Sequence, residues 1–119
     1  MKDSYRFRPH EKLRTSQEYL EVKRVGKRSR TTHFGVNFLI NGLDYHRLGL
    51  IVTKRFWNAV ERNRIKRRVR EWFRLHKHHI PLPGRDIVII ARQGAERLSS
   101  TEVARELLRV FVKQDGRSS

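Results

Sequence analysis

A chain of 119 residues fits one small domain with a single modest core. It carries 28 Lys and Arg against 12 Asp and Glu, a formal net charge of +16, which points to polyanionic partners, nucleic acid before anionic membrane. The lack of cysteine excludes disulfides and thiolate zinc sites. No apolar run reaches the ~18 residues that suggest a membrane span. The opening stretch MKDSYRFRPHEKLRTSQ has no signal-peptide core, so a cytoplasmic protein is expected.

The first predicted element starts at TSQEYLEVKRVG, where Thr15 and Glu18 have the spacing of a capping box. Tyr19, Val22 and Val25 recur at helical intervals, and Gly26 marks the stop. HFGVNFLI and RLGLIVTK follow, both rich in β-branched and aromatic residues. Phe34, Val36 and Phe38 alternate as in a half-buried strand. Between the two runs, Asn41-Gly42 and Asp44 favour a turn, so a hairpin is expected there.

From the N-cap candidate Asn58 to about His79 the pattern is helical, and ERNRIKRRVRE (61–71) lies inside it. Ile65, Val69, Trp72 and Phe73 form one apolar stripe. Lys66, Arg67, Arg70 and Arg74 fall on the outward side, with Arg64 and Arg68 stacked along one flank. The run is therefore an anchored amphipathic helix with a basic exterior. PLPG at 81–84 ends it. DIVIIAR reads as a strand buried on both faces in mid-sheet.

A last helix is capped by Ser99 and Glu102, with Ala104, Leu107, Leu108 and Phe111 as its apolar face. The order is helix, hairpin, helix, strand, helix, with room for one more short strand beside the hairpin. That is an α+β fold of about four strands and three helices, one domain over residues 1–114 with a tail at 115–119.

No catalytic constellation stands out. HKHH at 76–79 reads as a solvated cluster at a helix end, and the acids are scattered rather than paired as a metal nuclease requires. No metal site and no catalytic residue are expected in the protein. Between Lys54 and Arg74, however, stand nine bases (54, 55, 62, 64, 66, 67, 68, 70 and 74) and only two acids, Glu61 and Glu71. Pairing along the helix cannot neutralise them. Arginine dominates, as expected where planar guanidinium groups grip phosphate. Tyr5, Phe7, Tyr19, Phe34, Phe38, Phe56 and Trp57 are candidates for stacking on bases. Tyr19 is the best placed of them. Phe34 and Phe38 share a strand face that serves either stacking or the core.

RLGLIVTKRFWNAVERNRIKRRVREWFR resembles the protein subunit of bacterial ribonuclease P, whose hallmark is an apolar strand, a basic dipeptide (here Lys54-Arg55) and an Arg-Asn-Arg helix. FRPHEKLRTSQEYLEV and DIVIIAR extend the similarity over nearly the whole chain. The resemblance implies a compact α+β fold with a left-handed βαβ crossover, against the usual right-handed preference. It implies that a catalytic RNA, holding Mg²⁺, removes the 5′ leader of precursor tRNA while the protein assists. Arg62, Asn63, Arg64, Lys66, Arg67 and Arg68 would face that RNA, and Lys54, Arg55 and Arg70 complete the RNA-binding set.

A cleft beside the first helix would hold the leader, with Tyr19, Phe34 and Phe38 as its candidate aromatics. This chain departs from the family pattern in having Lys23 and Asn37 at positions that are often aromatic. No protein oligomer is required.

Three other readings compete. A non-enzymatic RNA-binding module, such as a ribosomal protein, accounts for the charge equally well. A helix-turn-helix protein needs a helix where RLGLIVTK is strand-like. A membrane-surface helix fits less well, because the apolar stripe is narrow and flanked by arginine.

Overall fold

A computed structural model describes residues 7–112; Tyr5 and the tail from 113 onward lie outside the described residues. Helix α1 (Ser16–Val25) begins at the expected box: the Thr15 hydroxyl accepts from the Glu18 amide, and the Glu18 carboxylate accepts from Thr15 and Arg14 amides. The helix ends at Gly26 for a reason other than a left-handed cap. Gly26 is extended, and a Cβ there would lie 2.5 Å from the Val22 carbonyl oxygen and 2.7 Å from that of Phe38. Only glycine lets the chain pass so close to β2.

Four strands follow: β1 (Lys27–Arg30), β2 (Phe34–Ile40), β3 (Arg47–Ile51) and β4 (Arg85–Ala91). Their order across the sheet is β1-β2-β4-β3, with β4 antiparallel to β2 and parallel to β3. The expected hairpin between β2 and β3 is therefore not formed. Strand β4 lies between them, and the true hairpin joins β1 to β2. The reason lies in β4, where Ile87, Val88 and Ile89 are all buried and so need cover on both faces. The Asn41–His46 segment instead folds onto the residue before β4: Asn41 N–H donates to the Gly84 carbonyl, and Gly84 N–H to that of Leu43.

Helix α2 (Ala59–His76) bridges the parallel strands β3 and β4. Its N-cap is Asn58, boxed with Glu61. It stops three residues earlier than the sequence pattern suggests, with a 3-10 turn at Lys77–His79. Ile65, Val69, Trp72 and Phe73 are buried, as the stripe predicts. Helix α3 (Ser100–Val112) packs beside α2. Its dry face is centred on Val103, Leu107, Val110 and Phe111; Ala104 and Leu108 lie only half-buried on its flank, a correction to the expected stripe.

Alternation along the strands divides the interior in two. Phe34, Val36, Phe38, Leu48, Ile87 and Ile89 face α2 and α3 and form the main core. On the other face, Val88 packs with Leu13 and Val22, joined by Tyr19, Leu39 and Ile90, under α1. This second layer is thin, and it leaves one side of the sheet partly open.

A candidate RNA-binding surface

The open side is a cleft of about 890 Å³ between α1 and the sheet. Its floor is Gly35, Asn37, Val88 and Ile90; Tyr19, Leu20 and Lys23 wall it from α1, and Arg28, Ser29 and Arg30 from β1. Arg14 stands at one end. An apolar floor with a cationic rim suits a single strand, whose bases avoid water while its phosphates seek charge.

Tyr19 is fixed in this cleft by two contacts. Its hydroxyl accepts a hydrogen bond from Leu50 N–H at 3.1 Å, on the outer edge of β3. Its ring lies over Gly49, so close that a Cβ there would be 2.7 Å from ring carbons. Phe34 and Phe38 do not join it. They are 0% and 6% exposed on the opposite face of the sheet, which corrects their place among the cleft candidates. Strand parity explains this: once Phe34, Val36 and Phe38 turn to the core, Gly35 and Asn37 must face the cleft. Applied to the sequence, the same parity finds Asn37. Nothing local marks Arg14, Arg28, Leu20 or Ile51 as cleft residues, because they come from separate elements.

The basic helix presents a second surface. Asn63, Arg67 and Arg70 are exposed, with Arg64 and Lys66 half-buried beside them. Asn63, Arg67 and Arg70 also edge a shallow groove of about 390 Å³ with Phe7 and Arg74. Lys54 and Arg55 are exposed on the turn after β3. Two of the predicted RNA-facing arginines are partly tied to the protein: Arg62 donates to the Trp57 carbonyl at 3.0 Å, and Arg68 to that of Leu98.

The acids do not offset this charge, because they are otherwise engaged. Glu61 caps α2, and Glu71 pairs with Arg74 at 2.7 Å, whose hydrogen bonds hold the Glu71 carboxyl below its ordinary range. Arg64, Lys66, Arg67 and Arg70 have no ion pair among the described residues. A stretch that reads as uncompensated in sequence is uncompensated in space.

Other acids serve the fold in the same way. Asp86 takes a bidentate grip from Arg47, which also reaches Glu18 and so ties α1 to β3 and β4. Glu96 accepts from the Trp57 indole at 2.7 Å and from Gly94 N–H, and these donors lower its pKa. Glu106 accepts from Thr31 and His33, and Glu102 caps α3. Among the described residues no group of three or more His, Asp or Glu comes together as a metal site would need.

HKHH needs one correction: Lys77 is not solvated but 6% exposed, with its ammonium 2.7 Å from the carboxylate of buried Glu11. His76 and His79 do lie near the surface, their Nδ1 atoms 3.4 Å apart. Sequence reading passed over His46. It is buried, its Nδ1 accepts from Arg85 N–H, and its Nε2 therefore donates to the Ile80 carbonyl.

Fold and surface together define a class: a small, strongly basic α+β protein with a cationic helix and an open cleft, most of its described acids committed to structure. The comparisons agree. The family model described as Ribonuclease P matches residues 7–115. The ribonuclease P protein component of Syntrophobacter fumaroxidans is 66% identical over 98% of both chains. That of Thermotoga maritima is 40% identical over 92% of this chain and 97% of its own. The solved RNase P protein from Thermotoga maritima superposes with a TM-score of 0.79, covering 89% of this chain and 99% of that one at 38% identity. The Staphylococcus aureus RNase P protein gives 0.78, over 88% and 95% at 32% identity.

The chain belongs to the ribonuclease P protein family. Membership makes it one component of an endoribonuclease complex and implies ribonuclease P RNA as its partner.

Proposed function

We propose that the chain binds ribonuclease P RNA through α2 and its approach, and holds the 5′ leader of precursor tRNA in the α1 cleft. The observation that carries this reading is the pairing of two surfaces in one small domain: four cations on α2 without ion pairs among the described residues, and a basic-rimmed, apolar-floored cleft. The RNA-facing set is Lys54, Arg55, Arg62, Asn63, Arg64, Lys66, Arg67, Arg68 and Arg70. The leader-facing set is Tyr19 with Lys23, Asn37 and the rim arginines. Phosphate contacts made by both position the scissile bond.

The catalytic Mg²⁺ belongs to the RNA. Glu61 and Glu71, the acids nearest the basic helix, are taken by a cap and by Arg74, so they do not fit as ligands. When bound by RNA, Mg²⁺ activates water and stabilises the leaving oxygen. The protein's share is to hold substrate and screen charge, in the cytoplasm where tRNA is matured. The ribosomal-protein alternative finds no specific support in the cleft.

The test is precursor-tRNA cleavage by the cognate RNA at low Mg²⁺, with and without the chain. Cleavage should be rescued by the wild-type protein and poorly by a variant with Arg64, Arg67 and Arg70 all changed to Ala. Equal rescue by both would remove the basic helix from the account.

A further inference from the structure

Phe56 is 45% exposed, more than any other Phe, Tyr or Trp among the described residues. It stands on the turn between β3 and α2, directly after Lys54 and Arg55, both exposed. A large apolar ring amid a cationic surface, touched only in part by its neighbours Trp57 and Arg55, leaves apolar area open to a partner. The ring is also well mounted. Trp57 beside it is 5% exposed, and its indole is tied to Glu96. The Trp57 carbonyl accepts from Arg62, and Arg55 N–H donates to the Thr53 hydroxyl at 3.1 Å, so the backbone is pinned on both sides of Phe56. Trp57 meets Phe56 edge to face at 5.6 Å, and the Arg55 guanidinium lies 5.9 Å from the Phe56 ring centre.

We propose that Phe56 is a base-stacking contact for an unpaired nucleotide of ribonuclease P RNA, with Lys54 and Arg55 receiving that nucleotide's phosphates. The inference rests on the RNA-subunit part of the reading above and adds a sequence-tolerant π contact to a surface otherwise described by charge alone. A pre-mounted ring loses little freedom on binding, which favours a stable contact. The RNA subunit is the source because Phe56 shares its turn with the cations that lead into α2, whereas the leader cleft lies against α1.

The test is the affinity of the chain for its cognate RNA subunit, titrated at several salt concentrations for wild type, Phe56→Tyr, Phe56→Leu and Phe56→Ala. Stacking predicts that Tyr stays within about twofold, while Leu and Ala both weaken binding by about tenfold, the scale of one base–aromatic stack. The log–log salt slope should not change in any of them, since a stack releases no counterions. Urea midpoints should also stay put, because the ring is not in the core.

Full affinity in Phe56→Leu would overturn the proposal, as would a changed salt slope. So would a loss seen only with leader-bearing precursor tRNA. Failure of wild type itself to bind the RNA in a salt-dependent way would instead overturn the underlying reading, and the proposal with it.

Discussion

Gly49→Ala is the sharpest perturbation the cleft offers. A Cβ at Gly49 would lie 2.7 Å from Tyr19 Cε2 and Cζ and 2.8 Å from its hydroxyl oxygen. Ordinary carbon contacts begin near ~3.5 Å, so the ring must recede by roughly 1 Å. That movement takes the 3.1 Å bond from Leu50 N–H to the hydroxyl beyond hydrogen-bond range. The atoms in the way are the far end of one side chain, so the fold can yield by swinging it outward. The stability cost is then about 1 kcal/mol, one net hydrogen bond, with the freed amide able to find water at the sheet edge.

Leader affinity should suffer more. A base stack is worth about 1–3 kcal/mol, and a displaced ring forfeits much of it, so about tenfold is expected. The assay is equilibrium binding of precursor and mature tRNA to the assembled enzyme, with urea unfolding alongside. The loss should be confined to precursor tRNA, and it should vanish in a Tyr19→Ala background because the two changes act on one ring. An undiminished effect of Gly49→Ala without Tyr19, or equal loss for both tRNAs, would refute the reasoning.

Three further outcomes follow from the geometry. Arg64→Ala should weaken RNA binding with an unchanged urea midpoint, whereas Arg68→Ala should lower both, because Arg68 also donates to the Leu98 carbonyl; a charged hydrogen bond of that kind is worth about 1.5–3 kcal/mol. Lys77→Met should destabilise by about 3–5 kcal/mol in urea unfolding, since it leaves Glu11 buried and unpaired. Adding Glu11→Gln should recover part of that loss.

Stability should also fall with acid through His46. Burial, helped by Arg85 and His78 and opposed by the Ile80 carbonyl and Glu11, holds its pKa below the ordinary value. The unfolded chain therefore binds more protons once pH drops below about 6.5, and stability is lost from there down to the folded-state pKa. His76 is shifted the same way by its own partial burial and by His79. The difference between wild type and His46→Gln, followed as urea midpoint against pH, isolates His46. Parallel curves would contradict this assignment.

Elements with strong local signals were legible in the sequence. Capping boxes at Thr15 and Ser99 and an N-cap at Asn58 start the three helices where local chemistry says they start, and the structure completes a box at Asn58 with Glu61. The α2 stripe came out residue for residue, because four apolar positions on a charged helix leave one possible dry face. Strand pairing did not, since turn residues at 41–44 speak only for a turn and not for which strands it joins. The two-sided apolar character of DIVIIAR already argued for a central place, and that long-range constraint prevailed over the local one.

The cleft was half legible. Tyr19 stands out from its own chemistry and position and again from its family counterpart, whereas Phe34 and Phe38 qualify by residue type alone, and parity and burial send them to the core. Lys77 and His46 escaped because their partners, Glu11 and Arg85, stand 66 and 39 residues away. No local pattern encodes such contacts.

The central claim is that this protein recognises the leader, in addition to thickening the positive charge around a catalytic RNA. Its most direct test is the affinity of precursor tRNA and of mature tRNA for the RNA subunit, each measured with and without the chain at one salt concentration. The account predicts a large gain for precursor tRNA, reduced by Tyr19→Ala, and little gain for mature tRNA. An equal gain for both, unaffected by Tyr19→Ala, would contradict it.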